Sequence, residues 1–249
     1  MPDSDKPAPL RYSGMHEGNI DIMFWKVIKY MMEKKTDDAI SLGGEYVKLF
    51  PPLLVKYLNK PEVSAYLVDV SPQILAYLMF KFFILLKCYG CIVNVLKGIK
   101  DKFSVVIAIV RLMDENEEAI VNVIKSILKD NDLKVVGIDI IKHMDKEKGE
   151  IFLDEIISIA KKDVGMAQYA ALEVLTSYVD DDRVEDLFIS YIDDWDKKVR
   201  QISAIALMNG KKKEEIIDRV KSAMRFERDK YVLFLYKRLL NKFGGSHDA

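Results

Sequence analysis

The chain has 249 residues, half of them apolar and 31% charged, with a formal net charge of −1. That length buries one large core or two small ones, and the charge balance gives no bulk attraction to nucleic acid or membrane. Glycine (12) and proline (7) are scarce, and every proline lies within the first 72 residues, which excludes collagen-like and low-complexity chains and disfavours a turn-rich β sandwich.

In chain order, residues 1–18 read as a flexible leader, polar and without the apolar core of a secretory signal. Residues 19–70 read as an irregular helical N-terminal cap. Asn19 can open a helix to about Lys35, with Ile20, Phe24, Val27, Ile28 and Met31 on one side. A second helix follows Thr36 and meets Gly43 and Gly44, Pro51 and Pro52 restart a helix, and Asn59, Lys60 and Pro61 form a turn. The most apolar stretch, Ile74 to Leu86, is too short to span a bilayer. It reads as a buried helix, and it leaves a homodimer open.

From residue 71 the sequence is periodic. Asp101, Asp132, Asp163, Asp196 and Asp229 are spaced 31, 31, 33 and 33 apart, and Ser71 stands 30 before the first. Each can accept a hydrogen bond from a free amide in the first turn of a helix. Apolar residues recur behind these positions, as in Val199, Ile202 and Leu207 behind Asp196, and in Val232, Leu235 and Leu240 behind Asp229. The same register places Val135, Met166 and His143 on the apolar face. Second stripes lie between, such as Ile120, Val123, Ile124, Ile127 and Leu128, and Val184, Leu187 and Phe188 behind a capping box from Asp182 to Glu185. The helix at 72–87 is assigned to this second set. A repeat of this length signals stacked helix pairs, because one pair cannot bury its apolar face alone.

The segment DDWDKKVRQISAIALMNG resembles a HEAT repeat through Asp196, Val199, Arg200, Ser203, Ala204, Ala206 and Leu207. The resemblance implies an all-α, right-handed α-α superhelix, a HEAT-like solenoid of about six helix pairs over residues 71–243, with a flexible 244–249 behind it. It also implies that Arg200 can pair with a turn aspartate of a neighbouring repeat. The other repeats hold Val105, Val136, Ala167 and Leu233 at that place, so no regular arginine ladder is expected. Armadillo-like pairs remain an alternative.

Candidate chemistry is sparse. Cys88 and Cys91 form a CxxC, a candidate redox or disulfide pair, or two small residues in a tight turn relieved by Gly90. With two cysteines in the chain and no signal, a cytoplasmic location is expected. His16, His143 and His247 do not make a zinc set, and His143 reads as a core or boundary residue. The aspartates at 180–182 and 193–194 read as helix caps. No P-loop, GxSxG, HExxH or GxGxxG motif occurs, and His16-Glu17 is the only HE pair, where HEAT-like di-iron hydroxylases need several. No enzyme activity and no cofactor are expected, with an enzyme whose site is not recognisable kept as an alternative.

A partner-binding scaffold is the expectation that remains. Arg111, Lys134, Lys142, Gln168 and Gln201 are the candidate partner contacts on a concave face, with Trp195 either an exposed anchor or packed on a helix end. Residues 145–196 hold 5 Lys/Arg against 15 Asp/Glu, and residues 197–242 hold 14 against 5. Lys211, Lys212, Lys213, Arg225 and Arg228 are therefore candidate phosphate contacts, with nucleic-acid binding the alternative to a protein or peptide partner.

Overall fold

The computed structural model describes residues 17–60 and 70–244, and is all-α, with no strand among them. Residues 1–16 of the leader and the calls on His16, Pro61 and His247 lie outside the described residues, whereas Glu17 and Gly18, read as leader, are helical. The chain divides into two compact units, Met1–Val123 and Ile124–Ala249.

Unit 1 opens with α1 (Glu17–Met32), which starts two residues before Asn19, then α2 (Thr36–Gly43), a 3-10 turn (Gly44–Leu49) and α3 (Phe50–Leu58). Pro51 and Pro52 occupy the first turn of α3, where no amide donor is needed. Phe24, Val27, Ile28 and Met31 are buried, as their spacing predicts. Phe24 meets the Phe50 ring edge-on at 5.7 Å, and Phe50 lies 6.0 Å from Phe82. Gly43 permits this packing, since a Cβ there would stand 2.6 Å from Val27 Cγ2. Then come α4 (Pro72–Leu85), α5 (Tyr89–Gly98) and α6 (Phe103–Met113). Ser71 caps α4 through the Ile74 amide. Helix α4 is nearly all apolar and buries eight of its 14 residues, with Ile74 and Leu85 left exposed. It opens on the Ser71 cap and packs on α6, so it belongs with the cap-opened helices and not with the second set. Asn59 closes the unit by binding the Gly98 carbonyl and the Lys100 amide.

Helix α7 (Glu117–Lys129) carries the boundary between the units. In unit 2 follow α8 (Lys134–Lys142), the short α9 (Lys146–Gly149), α10 (Leu153–Lys162), α11 (Met166–Leu175), α12 (Asp182–Ser190), α13 (Lys197–Ala206), α14 (Lys213–Met224) and α15 (Lys230–Phe243). The cap-opened helices pack in series, α8 on α11, α11 on α13 and α13 on α15. Helices α10, α12 and α14 fill the other set, with Phe152, Ile156, Val184, Phe188, Ile216 and Val220 buried.

The caps depart from the even spacing. Asp196 accepts from the Lys198 amide and Asp229 from the Tyr231 and Val232 amides, as predicted. Asp101 holds the Phe103 amide, with Lys102 at the cap position. Asp132 caps nothing; the Asp130 carboxylate binds its amide, and α8 starts behind Leu133. Asp163 ends α10, and Gly165, at φ 68°, opens α11. Val135, Met166 and His143 lie exposed and not on the apolar face, while Ile138 and Val174 of the same expected register are buried. His143 sits past the end of α8, where its Nδ1 lies 2.8 Å from the Asp139 carbonyl. The cap of α12 is Asp181, not Asp182.

Ion pairs in unit 2 link helices that lie about one sequence period apart. Lys134 reaches Asp163 (2.7 Å), Lys146 reaches Asp180 (2.8 Å) and Arg183 reaches Asp154 (2.6 Å). Arg219 reaches Asp193 (2.5 Å) and Arg200 reaches Glu227 (2.6 Å). The partners lie 26 to 34 residues apart. Most are exposed and contribute on the order of 0–1 kcal/mol each, but they mark the register of the stack.

Candidate interaction surface

The turn before α13 and the turn before α15 carry the most exposed large side chains of unit 2. Trp195 is 81% and Phe226 83% exposed, so Trp195 does not pack over a helix end. Both turns are held from beneath by Arg200. Its Nη1 donates to the Asp194 carbonyl at 2.8 Å and to the Trp195 carbonyl at 3.1 Å. Its Nε and Nη2 donate to the two carboxylate oxygens of Glu227 at 2.6 and 3.1 Å. Glu227 Oε1 also accepts from the Arg228 and Asp229 amides, both at 2.8 Å.

This pair is the best-buried one in the unit, with the Arg200 side chain 16% and the Glu227 side chain 4% exposed. Burial pushes the Glu227 carboxyl up. The Arg200 hydrogen bond, the two amides and the Arg200 charge outweigh that, and hold it below its ordinary value. The Arg200 contact is of the expected kind, a turn carboxylate about one sequence period away, although it is a glutamate. Beside it lies a cleft of about 210 Å³ lined by Ile192, Asp193, Asp194, Phe226, Glu227 and Tyr236, among others. Tyr236 donates its hydroxyl to the Ile192 carbonyl, and burial pushes the Tyr236 hydroxyl up, out of the range in which it could act as a base.

No protein family, curated protein or solved structure matches the chain.

The remaining candidates differ in exposure and in their partners. Gln168 is 8% exposed and donates to the Ala160 carbonyl, so it is an interior residue. Lys134 and Lys142 are engaged with Asp163 and Glu173. Gln201 is half-buried on α13, and Arg111 is exposed on α6. These five stand on cap-opened helices.

Lys211 donates through Nζ to the Asp180 carbonyl, and Lys212 pairs with Asp186. The amides of both bind Glu185, which is buried, not a capping-box partner. Of the basic candidates, Lys211, Lys213, Arg225 and Arg228 are exposed and Lys212 is half-buried. Cys88 and Cys91 are joined by a disulfide at the start of α5, and the left-handed residue of that turn is Lys87, at φ 53°, not Gly90. Asp180, Asp181, Asp193 and Asp194 are each used by a lysine, an arginine or an amide. Among the described residues no three His, Cys, Asp or Glu gather as a metal site, and no helix is long and apolar enough to cross a membrane.

Sequence reasoning found Trp195 and Arg200 but missed Phe226 and Glu227. A signal was there: an acid stands two residues before each cap, Glu227 before Asp229 and Asp194 before Asp196, with an aromatic residue beside it.

Proposed function

We propose that the chain is a non-enzymatic HEAT-like scaffold that binds a protein or peptide partner, with Trp195 and Phe226 as its anchors. The observation that carries this reading is the Arg200–Glu227 pair, which fixes the turns that bear both rings. Rings held rigidly in solvent lose little conformational entropy on binding, and covering each one yields about 2 kcal/mol. The cleft beside Phe226 suits one inserted side chain. A right-handed superhelix of HEAT-like pairs accounts for the buried Val199, Ser203, Ala204, Ala206 and Leu207 and for the one-repeat spacing of the ion pairs. The function rests on the surface, because a fold alone does not specify one.

The test is site-specific photo-crosslinking in the native cell. A benzophenone amino acid at position 195 or 226 is expected to capture a discrete protein partner, while the same group at exposed Lys161 captures none. Equal yields at all three positions would contradict the reading.

A further inference from the structure

Helix α15 is basic. This helix carries Lys230, Lys237, Arg238 and Lys242 and no acidic residue. Its Val232, Leu235, Tyr236, Leu239 and Leu240 are buried, and it packs on α13 and α14. The outer face presents Lys230, Tyr231, Phe234, Lys237 and Arg238, at helical spacings of one, four, seven and eight. Tyr231 and Phe234 are both 51% exposed, their rings stacked at 6.2 Å, with the Arg238 guanidinium 5.8 Å from the Phe234 ring. The nearest acids in the sequence are already used, Glu227 by Arg200 and Asp229 by the cap of α15 and by Lys197. Among the described residues Lys230, Lys237 and Arg238 have no carboxylate partner.

We propose that this face docks an acidic amphipathic helix of a protein partner, whose carboxylates pair with Lys230, Lys237 and Arg238. Two aromatic rings flanked by cations along one helix stripe match a helix that sets leucine-like side chains between glutamates. A nucleic acid is disfavoured, because residues 145–196 of the same unit hold 15 acids against 5 bases, a charge excess that repels a long polyanion. The proposal rests on the scaffold reading, but shares no residue with the Trp195–Phe226 surface.

The experiment is fluorescence anisotropy with the full chain and three labelled probes. They are an amphipathic Glu/Leu helix of about 18 residues (five turns), the same peptide with Lys for Glu, and an oligo-dT of similar length. The Glu/Leu peptide is expected to bind, the Lys/Leu peptide not. K237E/R238E and F234A are each expected to weaken binding at least about tenfold, while K237Q/R238Q, which only neutralises the charge, weakens it less than the reversal does. Far-UV circular dichroism checks that these exposed substitutions leave the fold intact. The proposal is overturned by no binding of the Glu/Leu peptide at about 1 mM, by equal binding to K237E/R238E, or by tighter binding of oligo-dT lost in that same variant. W195A/F226A is expected to leave peptide binding unchanged. Crosslinking at position 195 together with no peptide binding removes this proposal alone, and peptide binding without crosslinking removes the other.

Discussion

Arg200 and Glu227, 27 residues apart in the chain, meet in a two-point ion pair of 2.6 and 3.1 Å. The same guanidinium binds the carbonyls of Asp194 and Trp195, and the same carboxylate binds the amides of Arg228 and Asp229. One buried pair therefore sets two turns, each of which opens a helix and displays an aromatic ring.

Breaking the pair from one side leaves a charge with little solvent. E227A and R200A are each expected to lower unfolding stability by about 3 kcal/mol, the low end for a buried pair because Arg200 keeps some exposure. Urea unfolding measures it. R200K, which keeps the charge but loses the fork that serves both turns, should retain only part of the stability.

The pH dependence follows from the depressed Glu227 carboxyl. A carboxyl whose folded value lies below its ordinary 4.5 contributes stability above that value, and loses it as pH falls through the folded value. The stability difference between the natural chain and E227Q should therefore be level from pH 7 to about 5 and shrink below about 4. A difference that grows on acidification contradicts the assignment.

The caps can be told apart by alanine substitution. D196A and D229A remove bonds to first-turn amides and should cost about 1 kcal/mol each. D132A removes no cap and should stay within about 0.5 kcal/mol. D163A loses the Lys134 pair and should fall between them, with a cost that shrinks in high salt. Chemical denaturation of the four variants ranks them.

The Cys88–Cys91 disulfide closes a loop with a sequence separation of three. So short a loop constrains the unfolded chain little, and its reduction should cost no more than about 2 kcal/mol. Thiol counting without reductant should find neither cysteine free.

How far the fold could be read from the sequence varies with the residue. Apolar periodicity identified the helices, since a stripe such as Ile120 to Leu128 has one way to be buried. Ser71, Asp196 and Asp229 cap as their spacing predicts. Asp132 and Asp163 show the limit, because a carboxylate ahead of a helix can also end the previous one, or meet a lysine 29 residues away, and spacing does not separate these uses. His143, expected on the apolar face, lies at the surface. The site was half legible: Trp195 and Arg200 stand in the best-matching repeat, whereas Glu227 is reached only through the stacking of α13 on α15.

The most direct test of the interaction surface is retention of the photo-crosslinked partner, once identified and purified, by the full chain and by W195A/F226A. Both side chains are exposed, so the variant should unfold at the same urea concentration as the natural chain. The account predicts that its affinity for the partner falls at least about 30-fold. Unchanged affinity in a folded W195A/F226A chain would contradict it.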